Sequence, residues 1–116
     1  MKRQLIRLAK PIIECFPKLA MTYRFVRDSW QGYEEPEKTP MGFKLIGNRS
    51  MQEGKFEPEE TQIVKTIIPY VDVVINVGAN IGYYCCIALS HGKHVVAFEP
   101  INRNLRYLLR NIKANN

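Results

Sequence analysis

The sequence predicts an α/β fold whose centre is a pair of parallel strands joined by a helix. Two runs rich in β-branched residues, 71–77 (VDVVINV) and 94–98 (HVVAF), flank an apolar helical stretch, and a second amphipathic stretch follows. Strand, helix, strand, helix in that order requires parallel pairing and a right-handed crossover, because parallel strands cannot be joined by a tight turn. The nearly continuous hydrophobicity of 71–77 fits a strand buried on both faces.

The remaining elements follow in chain order. Residues 1–30 read as helical, interrupted near Pro11 and Pro17. Residues 31–40 (QGYEEPEKTP) form a polar, proline-containing connector, which divides the chain into an N-terminal helical segment, 1–40, and a domain, 41–116. Residues 42–46 (GFKLI) partly alternate and are followed by the turn pair Gly47-Asn48, so a short β-hairpin involving Phe43 and Leu45 is expected. Pro58 suits the first position of a helix, and Glu59 and Glu60 suit its positive end. Ile63, Val64, Ile67 and Ile68 would form its apolar face, with Pro69 ending it. Beyond the first strand, Gly78-Ala79-Asn80-Ile81-Gly82 makes a tight turn into a helix over 83–89, and His91-Gly92-Lys93 turns into the second strand. After Glu99-Pro100, an amphipathic helix is marked by Ile101, Leu105, Leu108, Leu109 and Ile112.

Composition narrows the classes of function. The 116 residues are 46% hydrophobic and 24% charged, as in an ordinary globular domain. The net charge of +6 is spread over both ends, with no aromatic-interleaved basic stripe, so no nucleic-acid partner is expected. Cys15, Cys85 and Cys86 form neither a disulfide framework nor a metal-ligand pattern, which fits a reducing, cytoplasmic location and predicts no metal. No secretory signal is recognisable, and no apolar run approaches the roughly 18 residues of a membrane span. Leu5, Leu8, Ile12, Ile13 and Phe16 recur near helical spacing. Docking on the protein's own core is the ordinary fate of such a stripe, and contact with a membrane surface is the alternative.

Chemistry concentrates at the turn after the first strand. Ligands of open α/β sheets bind outside the carboxyl edge of the strands. Gly78 there permits a backbone conformation that other residues avoid, and Gly82 would let the helix start pack close to the strand. Glu99 ends the second strand about 20 residues after Gly78, the spacing at which an acid meets a ribose. Its carboxylate can accept hydrogen bonds from two vicinal hydroxyls. A dinucleotide site requires G-x-G-x-x-G, but Asn80 occupies the place of the second glycine, where a side chain would crowd a diphosphate. A cofactor without phosphate escapes that constraint. The lysine and hydroxyl residue of a P-loop are also absent.

The run Val77-Gly78-Ala79-Asn80-Ile81-Gly82-Tyr83-Tyr84, followed by Ala97-Phe98-Glu99-Pro100 and then Asn104, Leu105, Asn111 and Ile112, resembles the FkbM family of S-adenosylmethionine-dependent methyltransferases. Gly42-Phe43, Met51, Gly54 and the run Phe56-Glu57-Pro58-Glu59-Glu60-Thr61 are similar to the lead-in of bacterial members. The resemblance spans about residues 41–116 and implies a Rossmann-like, class I methyltransferase sheet, truncated after its second strand–helix unit and preceded by N-terminal helices and a short hairpin. It implies S-adenosylmethionine as cofactor and methyl transfer to a hydroxyl of a sugar, polyketide or similar metabolite, a small-molecule or glycan acceptor. Gly78, Ala79, Asn80 and Gly82 would border the methionine and ribose portions, and Glu99 would hold the ribose hydroxyls. Asn76 stands where such enzymes often carry aspartate; an amide keeps hydrogen-bonding capacity but lacks the charge that favours a cationic ligand. No catalytic base can be assigned, since Asp72, His91 and His94 fall at the opposite end of the strands. The chain alone is expected to be inactive. The competing expectation is an NAD- or adenosine-ligand-binding module of an oxidoreductase.

Overall fold

A computed structural model describes residues 15–31 and 34–116. The chain divides into two compact units, Met1–Tyr33 and Glu34–Asn116. In the first, α1 (Pro17–Gln31) starts on Pro17, whose missing N–H costs nothing at that position. The helical reading of 1–14, with most of the Leu5-to-Phe16 stripe, lies outside the described residues. No described helix is long and apolar enough to cross a membrane.

The second unit begins at Glu34, inside the stretch that composition marks as a connector. That connector holds β1 (Glu37–Lys38), which pairs antiparallel with β2 (Lys44–Leu45). The expected hairpin is therefore present, with its partner strand upstream of Phe43 and Leu45. Gly47-Asn48 serves a different purpose: Asn48 caps the short helix α2 (Arg49–Gln52), its side chain accepting from the Met51 N–H at 2.9 Å.

Helix α3 (Pro58–Ile67) has Pro58 at its start and Glu59 and Glu60 in its first turn, and Pro69 lies in the 3-10 turn Ile68–Tyr70 that follows it. Its buried face is rotated from the apolar pattern. Thr61 and Ile68 are buried and Val64 is half-buried, whereas Ile63 and Ile67 are exposed. Thr61 can occupy the interior because its hydroxyl donates to the Phe56 carbonyl at 2.9 Å.

Strand β3 (Val73–Val77), helix α4 (Tyr83–Ser90), strand β4 (His94–Phe98) and helix α5 (Asn102–Asn115) follow in order. The strands pair in parallel, Val73 opposite His94 and Val77 opposite Phe98. The described residues are thus mixed α/β, with five α-helices, an antiparallel pair and a parallel pair.

Helix α4 is the structural centre. Tyr83, Cys85, Cys86, Ile87 and Ala88 are all buried, because successive turns face different layers. Cys86 and Ile87 pack with Phe43, Leu45, Met51 and Ile68. Cys85 packs with Ala79 and Leu108. Burial raises both thiols above their usual range, Cys86 to about 12, so each behaves as a small neutral hydrophobe.

Among the described residues the sheet is covered on one side only, contrary to the expectation of burial on both faces. Val74 and Val95 pack on the core, while Val73, Ile75, Val77, Val96 and Phe98 on the other side are 44–78% exposed. Helix α5 buries Leu108 and Asn111 with Leu105 and Ile112 alongside, and leaves Leu109 exposed, as is Ile101 just before the helix. Its inner face includes an amide that a count of apolar residues overlooks.

Candidate functional site at the end of strand β3

The parallel register brings the carboxyl ends of β3 and β4 side by side. The N–H groups of Gly78 and Ala79 both donate to the Phe98 carbonyl at 2.9 Å, so the chain leaves β3 still tied to β4. The turn then uses left-handed backbone at Gly78 (φ +74°), Asn80 (φ +52°) and Gly82 (φ +87°), and closes through Gly82 N–H to the Ala79 carbonyl at 2.8 Å. Asparagine tolerates that region better than most residues, which suits it to the middle position.

The two glycines are required for different reasons. A Cβ on Gly78 would meet nothing within 4 Å, so that position faces open space. A Cβ on Gly82 would lie 2.5 Å from Leu108 Cδ1. The close approach that Gly82 permits is therefore to helix α5, not to the strand as the turn motif suggests.

Glu99 braces this turn. Oε2 accepts from the Asn80 N–H at 2.7 Å, and Oε1 accepts from the Ile101 N–H at 2.9 Å and from the Asn104 amide at 3.4 Å. These bonds, that from Ile101 foremost, hold the carboxyl below its ordinary range. Oε2, with a single donor, can still accept a further hydrogen bond, whereas Oε1 already accepts two.

A cavity of about 200 Å³ opens beside the turn, lined by Asn76, Gly78, Ala79, Asn80 and Ile81 of the strand end and turn and by Met51, Phe56, Glu57, Tyr83 and Tyr84 from neighbouring elements. Four of the sequence-derived site residues, Asn76, Gly78, Ala79 and Asn80, line it. Gly82 and Glu99 do not line it: Gly82 is buried against Leu108, and Glu99 reaches the turn through Asn80. Asn76 donates to Cys85 Sγ at 3.4 Å, which fixes its amide toward α4.

The other lining residues were not legible as a site. Tyr84 donates to Glu57 Oε2 at 2.5 Å, and burial together with that acceptor pushes the phenol up to about 12. Glu57 itself holds a left-handed conformation (φ +41°) ahead of Pro58. Tyr83 is the hub of an aromatic group, meeting Phe43, Phe56 and Tyr84 edge to face with ring centres 5.1–6.1 Å apart. The adjoining Phe56-Glu57 and Tyr83-Tyr84 pairs were the sequence signal, but no spacing rule joins them across the chain.

Asp72, His91 and His94 lie at the other end of the strands. The His94 N–H donates to the Asp72 carbonyl at 3.2 Å, and His91 Nδ1 is 2.9 Å from the Ile87 carbonyl. Among the described residues, no three His, Cys, Asp or Glu side chains are grouped to hold a metal ion. Comparison with family models, with curated proteins and with solved structures returned no match for this chain.

Proposed function

We propose that the turn after β3 is the cofactor half of a Rossmann-like, S-adenosylmethionine-dependent methyltransferase of the FkbM type, acting on a hydroxyl of a sugar, polyketide or similar metabolite. The observation that carries this reading is the pairing of an open glycine turn with an acid at the end of the adjacent parallel strand. Gly78 leaves room for a ligand beside the backbone, and Glu99 is held ionised with one acceptor position left on Oε2.

The residues present suit this cofactor better than a dinucleotide. Asn80, with a side chain at the turn's midpoint, disfavours a diphosphate and leaves a sulfonium cofactor unhindered. The cavity of about 200 Å³ is below the roughly 300–1,000 Å³ of complete small-molecule sites, which matches one portion of a cofactor rather than the whole. When bound, S-adenosylmethionine would supply an electrophilic methyl group. This chain's residues would hold and orient its methionine and ribose parts, the share of catalysis that comes from positioning.

Isothermal titration of the chain with S-adenosylhomocysteine and with NADH tests the reading. Binding of the homocysteine analogue, weakened by Gly78→Val, is the expected result. Binding of NADH with no response to the analogue would instead favour the dinucleotide alternative and sink this proposal.

A further inference from the structure

The cavity beside the turn carries one formal charge. Of its lining residues only Glu57 is a carboxylate, and no lysine, arginine or histidine lines it. Glu57 is unlike an ordinary surface acid in three respects. Its backbone occupies the left-handed region, which residues with a Cβ avoid and which concentrates at functional positions. Its Oε2 is fixed by the Tyr84 hydroxyl, a phenol that keeps its proton at neutral pH. No cation neutralises it among the described residues: nearby Lys55 pairs with Glu53 at 2.9 Å, as does Arg49.

Aromatic rings complete the setting. Phe56, Tyr83 and Tyr84 share the cavity with the carboxylate, and ring faces attract ammonium and sulfonium groups. Asn76, which lines the same cavity, supplies an amide without charge.

We propose that Glu57 is the anionic partner of the cationic end of the ligand, an ammonium or sulfonium group, and so provides, from just ahead of helix α3, the charge that Asn76 does not. This inference rests on the reading of the cavity as an S-adenosylmethionine site. It makes Glu57 the residue that separates a cationic adenosyl sulfonium from a neutral adenosine thioether.

The test compares S-adenosylmethionine, which carries both cations, with 5′-methylthioadenosine, which carries neither, by isothermal titration on the wild-type chain and on Glu57→Gln. Loss of one charge-assisted hydrogen bond should weaken S-adenosylmethionine on the order of tenfold and leave methylthioadenosine unchanged. Methylthioadenosine binding also reports that the variant is folded. On the wild-type chain, raising salt should weaken the charged ligand more than the neutral one. Equal losses for the two ligands in Glu57→Gln, no loss for either, or equal salt dependence would overturn the role of Glu57 while leaving the cofactor site standing. Failure of the wild-type chain to bind either ligand would overturn both.

Discussion

Gly78 and Gly82 share a backbone conformation but differ in what surrounds them, and substitution separates the two causes. Alanine at Gly78 meets only the penalty of a left-handed residue, about 1–2 kcal/mol, since its Cβ would face open space. Alanine at Gly82 incurs the same penalty and also drives Leu108 Cδ1 from a 2.5 Å contact, an overpacking cost of about 1–3 kcal/mol. Urea denaturation should therefore find Gly82→Ala clearly less stable than Gly78→Ala; equal losses would show that Leu108 moves aside freely. Glu99 makes a second prediction. Its folded carboxyl titrates lower than an unfolded glutamate at about 4.3, so its contribution is complete above that pH and is lost as pH falls through the lower folded value. The carboxyl carbon of Glu99, followed by NMR, should titrate below the ordinary range, and the Asn80 amide signal should shift with it. A normal midpoint would mean that the contacts from Ile101, Asn80 and Asn104 are not kept in solution.

Helix α5 does something a helix seldom does: it completes the hydrogen bonding of a strand. Asn111 accepts from the Ile46 N–H at 2.7 Å and donates to the Ile46 and Ile81 carbonyls at 3.0 and 2.8 Å. One turn on, Asn115 accepts from the Lys44 N–H and donates to the Lys44 carbonyl, both at 2.7 Å. The spacing works because a helix advances about 6 Å in four residues and a strand about 6.7 Å in two. Two amides thus imitate a neighbouring strand along β2. Asn111→Leu would leave two buried backbone groups of Ile46 and the half-buried Ile81 carbonyl without this partner and should cost about 2–4 kcal/mol, whereas Asn115→Ala, at a more exposed site, should cost less. Hydrogen exchange at Ile46 provides the check: protection unchanged in Asn111→Leu would show that the amide is not what closes β2. This pairing also explains which parts of the fold were legible in the sequence. The strands 73–77 and 94–98 follow from β-branched runs, and the turn follows from glycine spacing. The inner face of α5 did not follow, because a pattern of apolar residues counts Leu109 and ignores Asn111. The hairpin partner Glu37–Lys38 is two charged residues that owe their conformation to β2, not to their own propensity. At the candidate site, Asn76 to Asn80 were legible as one continuous motif, but Glu57 and Tyr84 meet only when α3 folds onto α4.

At the level of the whole molecule, the parallel pair presents an apolar surface that its own residue pattern marks as unusual. Val73, Ile75 and Val77 on one strand and Val96 and Phe98 on the other alternate with the residues that face α4 and α5, and all five are exposed. Contiguous apolar patches are rare on soluble monomers. The net charge of +6 opposes close approach of two chains but does nothing to reduce the affinity of such a patch for an apolar probe. Nile red is uncharged, so its binding reports the patch without attraction to the basic surface. Phe16 and, on helix α1, Leu19, Met21, Phe25 and Val26 are also exposed, a second source of signal, so the informative quantity is the difference between parent and variant. Ile75→Thr with Val96→Thr keeps β-branched residues in both strands and should lower dye fluorescence with little change in the urea midpoint. Val74→Thr, one residue from Ile75 but on the covered face, should do the reverse, costing about 1–2 kcal/mol by placing a hydroxyl against the core and leaving the dye signal unchanged. Such opposite responses at adjacent positions are what a sheet covered on one side requires. Equal destabilisation by both sets would mean that the second face is covered in solution.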